Sequence, residues 1–254
     1  MDEKDQVRLE KIRRDCPLCD GGGYAEIPHA DSIVLEECNC IKQINRELKL
    51  IESNIPMKLR EWSFDQLTDE FKSKNRKAFG IIQDYLSALD QNISNGVGVW
   101  FHSPPGVAKS AIMCTILKNA LEDKKRVYIE RASHIISLKF GEMRNDNAAK
   151  ETINYMLSAD IIAIEEIEKC YMGGATDKMN NPIPSNNSLM SSLFYEFLSD
   201  AYDSNIAILV SSNVLREEQE VLFPPFIRDR LKSLINVPLR GFSGRKDYRN
   251  SAGK

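Results

Sequence analysis

The sequence lacks the features of a membrane protein or a secreted protein. None of its apolar runs approaches the ~20 residues that a membrane-spanning helix needs. The opening stretch MDEKDQVRLEKIRRDC has no apolar core of the kind that a secretory signal requires. Basic residues are not in excess, because 34 lysines and arginines stand against 37 acidic residues, and this excludes a globally basic nucleic-acid binder. We therefore expect a cytoplasmic protein with no membrane partner.

The chain has six cysteines, and four of them are clustered near the N-terminus. Cys16 and Cys19 form a C-x₂-C pair in CPLCDGGG, and Cys38 and Cys40 form a C-x-C pair. In a reducing compartment this clustering favours a metal over disulfides, and four thiolates suit tetrahedral Zn²⁺. His29 is an alternative to one of the cysteines as a ligand, and metal-free thiols are the alternative to a zinc site.

The remaining sequence predicts an α/β protein. Apolar strands alternate with helical segments, which is typical of a parallel sheet covered by helices on both faces. We predict an N-terminal helix and zinc-binding module at 1–55, a linker at 56–75 and a nucleotide-binding domain at 76–254. The predicted strands are VGVWFH, RVYIE, ADIIAIEE, NIAILVSS and LINVPL.

The stretch SPPGVAKS, residues 103–110, resembles a phosphate-binding loop with two glycines replaced. The usual pattern is G-x-x-x-x-G-K-[ST], and here Ser103 and Ala108 occupy the glycine positions. Lys109 would reach the β- and γ-phosphates of a nucleotide, and the Ser110 hydroxyl would bind Mg²⁺. The alternative is an ordinary strand–helix connection. The predicted nucleotide-binding residues of this loop are Pro105, Gly106, Val107, Ala108, Lys109, Ser110 and Ala111.

Acidic and polar residues follow two of the other predicted strands. Glu165 and Glu166 end IIAIEE, and we assign Glu165 to the metal and Glu166 to the general base that activates water. Asn213 ends the strand that includes VSS and could orient that water or sense the γ-phosphate. Arg228, Arg230 and Arg245 are candidates to stabilise transition-state phosphate charge. The alternative interpretation is an incidental acidic strand end followed by a solvated IEK segment.

These motifs resemble the AAA+ ATPases, and more closely the DnaC/DnaI-type loaders of replicative helicases. The resemblance rests on IPMKLREWSFDQL, SPPGVAKS, IIAIEEIEK, VSSN and IRDRLKSLINVPLRGFSGR. It implies that Arg230 is an arginine finger acting on ATP bound by a neighbouring subunit, that Arg245 is a second nucleotide-sensing arginine, and that Asn213 is sensor 1. It also implies that the helix containing ASHIISLKFGEMRND contacts single-stranded DNA. The candidate DNA contacts there are Lys139, Phe140 and Arg144. The alternative is that Phe140 belongs to the core and that the two cations lie on a solvated face.

The resemblance implies an ATPase that uses ATP, Mg²⁺ and Zn²⁺ and that delivers a replicative helicase hexamer onto single-stranded DNA. Its copies would associate through the nucleotide interface, and its N-terminal module would dock onto the helicase. Ser103, Ala108 and the glutamate at position 165 depart from the family pattern and put the rate of hydrolysis in question. Two alternatives share the same motifs. One is an IstB-like transposition helper, and the other is a non-hydrolysing zinc adaptor with a degenerate loop.

Overall fold

The computed structural model describes residues 2–29, 32–176, 182–184, 188–214 and 222–239. The chain divides into two compact units, Met1–Arg60 and Glu61–Lys254. None of the helices in the described ranges is long and apolar enough to cross a membrane.

The first unit combines helices with an antiparallel hairpin. The hairpin pairs Tyr24 with Glu37 at its base and His29 with Ser32 at its far end. Its elements are α1 (Glu3–Arg14), β1 (Tyr24–His29), β2 (Ser32–Glu37), α2 (Asn39–Glu52) and α3 (Met57–Arg60).

A buried ion cluster connects the three helices of the first unit. The Arg60 guanidinium is buried and donates to Asp5 Oδ1 at 2.6 Å and to Glu47 Oε1 at 2.7 Å. Its Nε donates to the carbonyl oxygen of Ile55 at 3.0 Å. Removing one partner from a buried ion pair costs about 3–5 kcal/mol, because the other charge is left uncompensated. The cluster therefore fixes the helices on which the cysteine-containing segment is built.

The second unit is the larger α/β unit. Two short 3₁₀ helices, Phe64–Gln66 and Ile167–Cys170, accompany its regular elements. Its helices are α4 (Asp69–Lys74), α5 (Arg76–Ser87), α6 (Leu89–Ser94), α7 (Lys109–Glu122), α8 (Ala132–Met143), α9 (Asn147–Leu157), α10 (Ser188–Asp203) and α11 (Pro225–Lys232). Its strands are β3 (Val99–His102), β4 (Val127–Arg131), β5 (Ile161–Glu165), β6 (Met172–Thr176), β7 (Pro182–Pro184), β8 (Ala207–Ser212) and β9 (Ile235–Pro238).

Five strands of this unit form one parallel sheet in the order β4-β5-β8-β3-β9. Every residue of β3 and β8 is buried, as are the first four residues of β5. Because successive strand residues point to opposite faces, this burial means that both faces of the sheet are covered. The prediction of a parallel sheet between helices is therefore confirmed. β6 and β7 form a separate antiparallel pair.

The topology places the predicted nucleotide-binding segments at one edge of the sheet. In a parallel sheet the carboxyl ends of all strands lie at the same edge, which is where open α/β proteins bind ligands. β3 leads into SPPGVAKS, β5 ends at Glu165, and β8 leads into Asn213. Since β8 lies between β3 and β5, Asn213 follows the strand between the loop and the acidic residues. Helix α7 is anchored behind the loop by the fully buried Ile112 and Ile116.

Candidate functional site

The loop between β3 and α7 has the backbone geometry of a phosphate-binding loop despite the missing glycines. Gly106 has φ +85°, and Ala108 has φ +63° and ψ +15°. A left-handed conformation costs a residue with a side chain about 1–2 kcal/mol, so Ala108 is strained where glycine is usual. The N-cap residue of α7 is Ala108, which has no side-chain oxygen to accept from the first backbone N–H groups of the helix. Such a helix end attracts anions.

Lys109 is held inside this loop. Its side chain is 92% buried, and its ammonium donates to the carbonyl oxygens of Ser103 at 2.7 Å and Pro104 at 3.0 Å. A third hydrogen bond goes to Asn213 Oδ1 at 2.8 Å. Burial lowers the pKa of Lys109 to about 8, against the opposing effect of the charges on Glu168 and Glu166. The lysine thus occupies a desolvated position surrounded by oxygen acceptors.

The acidic end of β5 is held by both backbone and side-chain contacts. Glu165 is half-buried at the last position of the strand. Glu166 has φ +56°, and its N–H donates to Ser211 Oγ at 3.2 Å. The Glu166 carboxylate pairs with Lys169 at 2.7 Å. A non-glycine residue in this conformation is strained, and such strain is frequent at functional sites.

Asn213 joins the loop to a third acidic residue. Its Nδ2 donates to Glu168 Oε1 at 2.6 Å, while its Oδ1 accepts from Lys109. Glu168 is only 1% exposed. The sequence analysis left Glu168 in a segment whose alternative interpretation was solvated, so it missed this contact. The signal that the sequence offered was the position of Glu168 between the apolar residues Ile167 and Cys170. The structure buries both of these neighbours.

Arg230 lies at the opposite edge of the sheet. It borders a cavity of about 240 Å³ together with Val97, Ile206 and Leu234, which precede strands β3, β8 and β9. Its guanidinium stacks over the ring of Tyr202 at 4.3 Å. The structure therefore brings together Lys109, Asn213 and the acidic residues, but it places Arg230 away from them. The predicted Arg245 lies outside the described residues.

The predicted DNA-contacting residues of α8 differ in accessibility. Lys139 is 4% exposed and pairs with Glu142 at 2.8 Å and Glu196 at 3.0 Å, with Asp200 at 3.7 Å. The sequence analysis expected a phosphate contact from Lys139, but these carboxylates already compensate its charge. Phe140 is half-buried, and the exposed Arg144 covers its ring at 4.1 Å.

The four clustered cysteines converge as a metal site would require. All four sulfur atoms lie within 4.8 Å of one another, with Cys16 and Cys38 at 3.5 Å and Cys19 and Cys40 at 3.4 Å. Sulfur ligands at about 2.3 Å in a tetrahedron would be about 3.8 Å apart, so the observed spacing fits zinc. The N–H of Gly23 donates to Cys19 Sγ at 3.3 Å and is the main cause that lowers the pKa of Cys19 to about 7.

His29 does not take part in this cluster. It is exposed at the far end of the hairpin, whereas Cys38 directly follows β2 at the hairpin's base. Over the six residues of a strand the distance is on the order of 15 Å, which is beyond ligand reach. The four cysteines are therefore the ligand set that the structure supports.

No family model matches the chain, and no curated protein matches it in sequence. Its structure is similar to that of DnaI, with a TM-score of 0.55 and 13% identity over 73% of this chain and 95% of that one. It is also similar to domain III of the Thermotoga maritima replication initiation protein DnaA, with a TM-score of 0.53 and 14% identity over 75% of this chain and 72% of that one. The replication initiator DnaA bound to AMPPCP and single-stranded DNA matches with a TM-score of 0.51 and 15% identity over 71% of this chain and 52% of that one.

The chain spans about half the length of several of the replication initiators that it matches. Identities near 15% show a common fold and not a common activity. The order and direction of the strands, the loop before α7 and these similarities agree with one another. The chain has the AAA+ P-loop fold, accompanied by a four-cysteine cluster near its N-terminus that can hold zinc.

Proposed function

We propose that this chain is an ATP-dependent loader of the DnaC/DnaI type, which delivers a replicative helicase hexamer onto single-stranded DNA. One observation carries the nucleotide part of the proposal. Lys109, Asn213 and Glu168 form a continuous chain of contacts that links the ends of three parallel strands beside Glu165 and Glu166. The motif resemblance to helicase loaders and the fold shared with DnaI support the assignment of the role.

The residues of the loop suit a nucleoside triphosphate and Mg²⁺. The N-terminal N–H groups of α7 would bind the phosphates, and Lys109 would exchange its carbonyl partners for phosphate oxygens. Ser110 and Glu165 would hold Mg²⁺, which would neutralise charge on the transferred phosphoryl group. Glu166 would accept a proton from the attacking water.

Arg230 would act on the nucleotide of a neighbouring copy. Its position at the edge opposite the P-loop supports a role in trans and gives it no access to its own chain's site. Arg245 would sense nucleotide, as the motif resemblance implies. Self-association through the nucleotide interface is therefore part of the proposal.

Single-stranded DNA would bind along α8 through Phe140 and Arg144. Nucleic-acid bases stack on guanidinium planes as well as on aromatic rings, and the exposed Arg144, supported by the Phe140 ring beneath it, would offer its outer face to a base. We leave Lys139 out of the proposed contact because its ammonium is buried among carboxylates.

The first unit would dock onto the helicase. Tyr24, Ile33 and Leu35 are more than 60% exposed, and the hairpin register places them on one face. Exposed apolar clusters of this kind mark protein contacts. A zinc ion held by the four cysteines would stiffen the segment that carries this face.

The test compares the wild type with Lys109→Ala, using Lys150→Ala as a control at an exposed lysine of the same unit. We expect the wild type and the control to bind ATP, to hydrolyse it faster with single-stranded DNA, and to load the partner helicase, while Lys109→Ala loses all three activities. Absence of ATP binding by the wild type would favour the zinc adaptor. Cooperative binding to duplex DNA together with a transposase would favour the transposition helper.

A further inference from the structure

Glu168 is a buried acidic residue that the proposed nucleotide chemistry does not yet use. Its Oε1 accepts from Asn213 Nδ2 at 2.6 Å. Its Oε2 is buried and has no hydrogen-bond partner within the described part of the chain. Of the two charges that favour the ammonium of Lys109, that of Glu168 has the larger effect. A buried carboxylate with an unpaired oxygen is costly to the fold, so its presence calls for a role at the site.

The partners of Asn213 determine which way its carboxamide points. An ammonium can only donate hydrogen bonds, and a carboxylate can only accept them. The amide oxygen must therefore face Lys109, and the amide nitrogen must face Glu168. This orientation follows from chemistry alone, although the two ends of a carboxamide have nearly the same shape.

We propose that Glu168 is a positioning residue that holds Asn213 with its carboxamide oxygen directed at the nucleotide. This inference rests on the proposed ATPase function. When Lys109 turns to the phosphates, Asn213 Oδ1 loses its donor and becomes free to accept a hydrogen bond from the attacking water. Nδ2 stays bound to Glu168 and does not reach the γ-phosphate. Asn213 then orients water and does not bind phosphate, which decides between the two roles that its sequence position allows.

The experiment compares Glu168→Gln, which keeps an oxygen acceptor, with Glu168→Met, which removes it at similar volume. In the nucleotide-free protein, the side-chain amide of Asn213 is observed by ¹⁵N NMR and assigned by its absence in Asn213→Asp. We expect slow exchange of these amide protons in the wild type and in Glu168→Gln, and exchange at least about tenfold faster in Glu168→Met.

Steady-state hydrolysis provides the second measurement. We expect Glu168→Met to lower kcat by at least about tenfold with KM within about twofold, because a misplaced water slows the reaction without weakening ATP binding. Glu168→Gln should stay within about threefold of the wild type. A general loss of folding would instead change kcat, KM and the melting temperature together.

The two measurements separate failure of this inference from failure of the proposed function. If the wild type does not hydrolyse ATP but the exchange pattern holds, the ATPase proposal fails and the positioning of Asn213 stands. Unchanged amide exchange in Glu168→Met would overturn the inference, as would unchanged kcat in a wild type that hydrolyses ATP. A Glu168→Gln variant as slow as Glu168→Met would also overturn it, because the charge and not the hydrogen bond would then matter.

Discussion

The strain at Ala108 can be measured by replacing it with glycine. Glycine would relieve about 1–2 kcal/mol of left-handed strain. The change also removes the methyl group of a residue that is only 3% exposed, worth about 0.8 kcal/mol, and it adds about 0.5–1 kcal/mol of backbone entropy to the unfolded chain. We therefore expect Ala108→Gly to change the free energy of unfolding by less than about 1 kcal/mol.

Ala120 provides a matched control within α7. It is fully buried and lies in helical conformation, so Ala120→Gly loses a methyl group and helix propensity without relieving strain. We expect this variant to lose about 2 kcal/mol. The difference between the two variants isolates the strain at about 1–2 kcal/mol. Trp62 and Trp100 are the two tryptophans and both lie in the second unit, so their fluorescence during urea unfolding reports on this unit.

Equal destabilisation by the two glycine variants would refute the reasoning, because it would mean that Ala108 carries no strain. The same proteins test the consequence for catalysis. Since the loop already has its left-handed residue, ATP turnover by Ala108→Gly should stay within about twofold of the wild type. A sharp rise in turnover would show that the alanine at position 108 slows hydrolysis in the wild type.

The other predictions concern the second arginine site, the metal, the sensor and pH. Arg230→Ala should lower turnover by at least about 10²-fold, and mixing it with Lys109→Ala should restore part of the rate if the arginine acts in trans. Metal analysis should find one zinc per chain, and Cys16→Ser should lower that content while leaving tryptophan fluorescence unchanged. Asn213→Ala should tighten ATP binding about tenfold in equilibrium titrations, since Lys109 loses an acceptor that competes with phosphate, and weaker binding would contradict this. ATP affinity at pH 8 should be about half of that at pH 7 and should fall by up to about tenfold per pH unit above pH 8, because the pKa of Lys109 is about 8 and phosphate binds the ammonium form; affinity that stays level from pH 7 to pH 10 would contradict this.

The sheet could be predicted because its sequence signal is local. Each predicted strand is a short, mainly apolar run, four of the five end in a polar residue, and the alternation with helices indicates the parallel direction. The position of the loop between a strand and a helix could also be predicted from the sequence, because Lys109 and Ser110 follow an apolar strand and begin a helical segment. The sequence did not show whether Ala108 adopts a positive φ. The steric cost of that conformation for alanine can be tolerated in the folded protein, or it can be avoided by a different loop conformation.

The ion pairs of Lys139 are a feature of the structure that the sequence did not predict. An aromatic residue beside a cation on a helix looks like a nucleic-acid contact, although Lys139 lies at helical spacing from Ala132, Ile135 and Ile136, which are all buried. Two of its acidic partners, Glu196 and Asp200, lie on α10 and are more than 50 residues away in the chain. Such an ion cluster depends on which helices pack together, and residue spacing within α8 contains no information about that.

The loop keeps its shape although it departs from the usual glycine pattern. The partners of Lys109 therefore matter more for nucleotide binding than the missing glycines do. The loop already has its left-handed residue at Ala108, so under the proposed function ATP would not need to remodel that residue. ATP must instead draw Lys109 from two carbonyl oxygens and from Asn213 Oδ1. Each of these contacts involves a charged donor and is worth about 1.5–3 kcal/mol, so their loss offsets part of the phosphate binding energy. Under the proposed function, affinity for ATP would thus be set by competition for one ammonium group, whereas turnover would depend on how Asn213 is held after that ammonium has left.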